Sequence, residues 1–154
     1  MTQDAVRERF RIPDRVPVPL GAYRAVIVRG ELGFVSGQFP YREGVLAYRG
    51  KVGAGLSPEQ GREAAALCAL NALGQLRRAL GADYARVLLT RVDGYIASAP
   101  DFLGQPGVLD GASELFVDVL GERGAHARTV FAVPQLPQDA PIELVVGFVL
   151  GDAA

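Results

Sequence analysis

The spacing of apolar residues changes along the chain, and each change marks an element. From residue 25 the pattern runs Ala-Val-Ile-Val, then Arg29-Gly30-Glu31, then Leu-Gly-Phe-Val-Ser, which predicts a β-hairpin around a short glycine turn. Ser57-Pro58-Glu59-Gln60 is a helix start: a serine cap, proline at the first helical position, and glutamine at N3 to complete a capping box. Apolar residues then recur at Ala65, Ala69, Ala72, Leu73, Leu76 and Leu80, a helical stripe that Gly81 ends. Residues 86–98 are rich in Leu and β-branched side chains and predict a strand. A second helix is expected from about Gly107 to Leu120, stopped by Gly121. Residues 128–133 and 142–150 predict two further strands, the last alternating Ile142, Leu144, Val146, Phe148 and Leu150 on one face. The segment from Phe39 to Gly55 reads as loop with one short strand near residues 45–48. Residues 1–18, with four arginines and Pro13 and Pro17, read as an extended lead-in to a single domain over 19–151.

The order ββ(β)αβαββ predicts an α+β fold, a mixed sheet with two helices packed on one face. Val145 and Val149 make the opposite face apolar as well, shared with Glu143 and Gly147. Two helices cannot cover both faces, so self-association is expected. A mean hydropathy of +0.18 agrees with that expectation.

Charge and cysteine content narrow the function. The 154 residues carry 16 Lys and Arg against 17 Asp and Glu, a net charge of −1, so the basic excess of a sequence-independent nucleic-acid binder is absent. Cys68 and His126 are each the sole residue of their type, which leaves no intrachain disulfide and no Cys- or His-rich metal site. The acidic start Met1-Thr2-Gln3-Asp4 and the brevity of the apolar run from Ala64 to Leu70 read against a signal peptide and a membrane span. A cytoplasmic, reducing compartment is expected.

Familiar catalytic motifs fail. Gly53-Ala54-Gly55 lacks the third glycine of a dinucleotide fingerprint, Gly50-Lys51-Val52 lacks the hydroxyl residue of a P-loop, and Ser36 follows no nucleophile-elbow glycine. Single residues carry more. Glu143 interrupts an apolar strand, either as an end residue reaching water or an arginine, or as a partly desolvated general acid/base. Arg128 is either a surface residue or a bidentate carboxylate clamp. If the last two strands pair, Arg128 and Glu143 approach one another at a sheet edge. Tyr23 reads as a half-buried aromatic or a hydroxyl beside a pocket. His126 reads as a loop residue rather than a catalyst, since the sequence shows no partner for it, and Cys68 as a small buried hydrophobe. Asn71, out of place inside a helix, either satisfies a buried backbone group or faces a subunit contact.

Taken together, Gly21-Ala22-Tyr23-Arg24-Ala25-Val26, Leu32-Gly-Phe-Val-Ser-Gly-Gln38-Phe-Pro40, the helix string Ala-Leu-Asn71-Ala-Leu, Ala127-Arg128-Thr129-Val130 and the ending Leu136-Pro137…Ile142-Glu143 resemble the RidA/YjgF family. The resemblance spans about residues 19–150, nearest the branch labelled endoribonuclease L-PSP or chorismate-mutase-like. It implies a chorismate-mutase-like fold, a homotrimer with clefts between subunits, and no cofactor or metal. The implied activity is that of a hydrolase, a deaminase that converts reactive enamines and imines of 2-imino acids to 2-keto acids and ammonia. The alternatives are a protein that only binds a small carboxylate, and an endoribonuclease. By motif position Arg128 would hold the substrate carboxylate and Glu143 would activate water. Tyr23, Ser36, Gly37, Asp110 and Val130 would line the cleft. The chain departs from archetypal members at His126 (usually Pro), Val130 (often Cys) and Asp110 (commonly Asn), and its loop from Tyr41 to Leu56 is longer.

Overall fold

The computed structural model describes residues 11–153. Nine strands and two α-helices are assigned among the described residues: β1 (Val26–Arg29), β2 (Leu32–Gln38), β3 (Tyr41–Arg42), β4 (Val45–Leu46), β5 (Lys51–Val52), β6 (Gly55–Leu56), α1 (Pro58–Leu80), β7 (Val87–Ala97), α2 (Gln105–Leu120), β8 (Ala127–Val133) and β9 (Ile142–Leu150). The expected hairpin is present, with Gly30 at φ +60° in its turn. The predicted capping box also forms. Ser57 Oγ accepts from the Gln60 N–H at 3.1 Å, and Gln60 Oε1 accepts from the Ser57 N–H at 2.9 Å. Helix α2 begins at Gln105, two residues before the expected start, because Pro106 is well placed in a first turn. Each helix ends at a glycine with positive φ, Gly81 at +54° and Gly121 at +62°, and passes through a 3-10 turn into its strand.

The main sheet has the order β1-β2-β9-β7-β8, antiparallel except for the parallel pair β7–β8. Helix α2 supplies the crossover that a parallel pair requires. Both helices lie on one face, where Leu73, Leu76, Phe116, Ile96, Leu144 and Phe148 are fully buried. This is the expected α+β architecture. The segment after β2 holds four two-residue strands instead of one. Asn71 anchors it, donating from Nδ2 to the carbonyls of Phe39 and Tyr41, each at 3.0 Å; of the two expected roles, it takes the satisfaction of buried backbone.

Part of the lead-in, residues 1–10, lies outside the described residues. From residue 11 it runs irregularly across α1, burying Val16 against Gly74 and accepting at Pro17 O from Gln75 Nε2 at 2.7 Å.

The face of the sheet away from the helices carries Ile27, Leu32, Phe34, Leu88 and Phe131, all exposed, with Phe34 reaching 49%. Ile27 pairs with Phe34, Leu32 with Val149, and Val149 with Leu88, so the residues form a band across the strands. Tyr95 and Phe131 stack farther along the same face, beyond the Arg91–Asp93 ion pair, with ring centroids 5.0 Å apart. The leftover apolar surface expected from the sequence is therefore present.

Candidate functional site

The structure divides the expected site residues between two places. The first is a bulge in β2. Between Val35 and Gln38 the register with β9 shifts, and Ser36 and Gly37 occupy the irregularity. Gly37 leaves room for Glu143. A methyl built on it would lie 2.8 Å from Glu143 Cδ and nearer still to Oε1. Glu143 pairs with Tyr95 and alternates with buried Ile142 and Leu144, so it faces away from the helices. Partial burial raises its pKa above the usual glutamate range. Ser36 Oγ donates to Arg24 O at 2.7 Å, which leaves the hydroxyl only lone pairs to offer a ligand. Tyr23 is 50% exposed, and its hydroxyl accepts from the Leu20 N–H at 3.3 Å. Tyr23 and Gly37 share a cavity of about 970 Å³ formed with the lead-in, Phe39 and α1.

The second place is the edge strand β8. Arg128 is in register with buried Val92, so it points to the helix face. There its Nη1 donates to Ser113 Oγ at 3.1 Å and its Nη2 to Pro106 O at 3.3 Å, while Asp110 Oδ1 stands 2.8 Å from Nη2. Val130, two residues on, shares that face and packs against the main core.

One sequence expectation needs correction. Strands β8 and β9 do not pair; β7 lies between them, and Arg128 and Glu143 project from opposite faces of the sheet. A single chain does not bring them together. His126 lies in the loop before β8, as expected, and has partners that the sequence did not show. Its Nδ1 is 2.6 Å from Gly124 O and its Nε2 is 2.9 Å from Ser113 Oγ, with Phe116 edge-on to the ring. A carbonyl only accepts, so Nδ1 carries a proton, and in the neutral ring Nε2 accepts from the Ser113 hydroxyl. Ser113 was not among the expected residues. The signal was present nonetheless: Asp110 and Ser113 are spaced three apart on a helix, and His126 and Arg128 two apart on an extended segment, so each pair shares a face.

Cys68 is buried as expected, its thiol pushed well up by burial and further by Glu143. Among the described residues no cluster of three or more His, Cys, Asp or Glu is poised to hold a metal, and no helix is long and apolar enough to cross a membrane.

Residues 6–149 match the family model described as YjgF/chorismate mutase-like, to which a provisional endoribonuclease label is attached. The chain belongs to the RidA/YjgF family. It is 37% identical to Protein TCP17 of Trypanosoma cruzi over 128 residues, 82% of this chain and 79% of that protein. The structure of Atu1372 from Agrobacterium tumefaciens, a protein of unknown function, is 34% identical and superposes with a TM-score of 0.84 over 96% of this chain and 93% of that one. A Shewanella oneidensis protein provisionally described as an endoribonuclease is 31% identical, with a TM-score of 0.87 over 94% and 98% of the two chains. Escherichia coli TdcF, solved with bound serine, shares the fold at 20% identity, with a TM-score of 0.62 over 91% of this chain and 96% of its own.

Proposed function

We propose that this protein hydrolyses reactive 2-imino acids and their enamine forms to 2-keto acids and ammonia, in clefts between copies of the chain. The observation that carries the reading is the division of Arg128 and Glu143 between opposite sheet faces, with an uncovered apolar band on the Glu143 side. Association through that band into a homotrimer would bring the Glu143 face of one copy to the Arg128 edge of the next.

The chemistry needs little more than that pair. An imine carbon is already electrophilic, so holding it near water supplies much of the acceleration. Arg128 receives the carboxylate. Glu143 takes a proton from the attacking water as oxygen bonds to C2 and the nitrogen is protonated. The resulting carbinolamine then collapses to a carbonyl and ammonia, and its hydroxyl proton leaves through Glu143. A carboxylic acid whose pKa is raised by partial burial suits both directions of transfer better than an ordinary glutamate. The serine bound to TdcF supports a small carboxylate-bearing ligand in this fold.

A second reading, ligand binding without turnover, draws on the Asp110–Arg128 ion pair, which partly compensates the clamp before any ligand arrives. The ribonuclease reading has less support. Net charge is −1, and the sole histidine is engaged by Gly124 and Ser113.

The test is ammonia release from 2-aminoacrylate and related imino acids generated in situ, with wild type and Arg128→Ala run together. Acceleration that depends on Arg128 supports the deaminase. No acceleration across the panel leaves the binding protein, and full activity in Arg128→Ala removes the residue from the site.

A further inference from the structure

The ion pair at the β8 edge alters what an arginine clamp accepts. Arg128 and Asp110 side chains remain 29% and 43% exposed, so a ligand can reach both charges. The guanidinium is held still by Ser113 Oγ and Pro106 O, which occupy two of its five N–H groups. In the neutral form of His126 the Ser113 hydroxyl proton is committed to Nε2, so Ser113 adds no donor for an incoming anion. The edge therefore displays a fixed cation with spare donors beside a fixed anion. A plain carboxylate that docks on Arg128 comes up against the Asp110 carboxylate, and the repulsion opposes it. A ligand with a cationic nitrogen on the carbon next to its carboxylate satisfies both side chains.

We propose that Asp110 makes the Arg128 site selective for zwitterions: it holds an α-ammonium or α-iminium carboxylate, carboxylate on Arg128 and nitrogen on Asp110, in preference to the corresponding 2-keto acid. The inference rests on reading Arg128 as the carboxylate clamp. For an imine hydrolase it assigns the protonated iminium acid as the bound form. It also gives product release a cause, because the keto acid loses the cationic group with the departing ammonia.

L-Alanine and pyruvate test this directly, since they share a carbon skeleton and carboxylate and differ at C2. Dissociation constants would be measured by calorimetry on the full chain at neutral pH and low salt, for wild type, Asp110→Asn and Asp110→Glu. Alanine should bind about tenfold more tightly than pyruvate to wild type, and Asp110→Asn should reverse the order by about as much, as one removed charge a few ångströms away predicts. Asp110→Glu should restore the alanine preference. Equal or tighter binding of pyruvate to wild type, no binding of either, or a ratio unmoved by Asp110→Asn overturns the proposal. The deaminase reading is judged separately by ammonia release: alanine preference without turnover defeats the deaminase alone, and Arg128-dependent turnover at a pyruvate-preferring site defeats this inference alone.

Discussion

Gly33 and Gly37 lie four residues apart in β2, yet a methyl group at each should damage different properties. At Gly33 the added carbon would meet the ring of Phe148, 2.6 Å from Cε1 and closer to Cζ. Phe148 is fully buried in the main core and cannot yield without disturbing its neighbours. Overpacking of this kind costs about 1–3 kcal/mol. At Gly37 the obstacle is the end of the Glu143 side chain, which can rotate. Ordinary contact begins near 3.4 Å and Cδ lies at 2.8 Å with Oε1 nearer, so the carboxylate must shift by roughly 1 Å. Stability should change by less than about 1 kcal/mol, whereas a displacement of that size costs about a hundredfold in turnover. Urea unfolding and ammonia release on the two alanine variants separate these effects. The reasoning is refuted if Gly37→Ala folds normally and keeps wild-type turnover, because Glu143 would then do nothing that depends on its position.

Further outcomes follow from other residues. Glu143 holds its proton more tightly in the folded state than in the unfolded one, so its contribution is stabilising below the usual glutamate range and is lost as pH rises through its raised pKa. Glu143→Gln should therefore gain stability relative to wild type as pH rises from the usual glutamate range through the raised pKa, with the urea midpoints converging in acid; a gap that widens in acid contradicts the burial argument. Asn71→Ala removes both bonds to the carbonyls of Phe39 and Tyr41 and should cost about 1–2 kcal/mol in the same assay. Phe34→Asp places a charge in the exposed apolar band and should shift the mass measured by light scattering toward the single chain. An unchanged mass would move the interface elsewhere.

Local signals were the most legible. The Ser57–Gln60 capping box is closed within four residues, and the alternation of β9 declares its buried face without reference to any neighbour. Strand order is not local. Nothing in the apolar spacing of β8 says that it lies parallel to β7 or that β7 separates it from β9, so the expected meeting of Arg128 and Glu143 failed on topology. Motif position singled out residues one at a time, and their division between the two faces required the sheet. The partners of His126 were hidden for a related reason. Its partner Ser113 is on α2, and only the 3-10 turn of Gly121–Gly124 folds the chain back far enough to join them.

The placement of Arg128 and Glu143 on opposite faces also has a genetic consequence. If each working cleft draws one residue from each of two copies, Arg128→Ala and Glu143→Gln are defects in different halves of a shared object. Chains carrying either change alone would assemble into inactive particles. Co-assembled, a chain that has lost Arg128 still brings an intact Glu143 to a neighbour that has kept its arginine, and some clefts regain both. Two inactive alleles would then complement one another, whereas a chain carrying both changes could rescue neither.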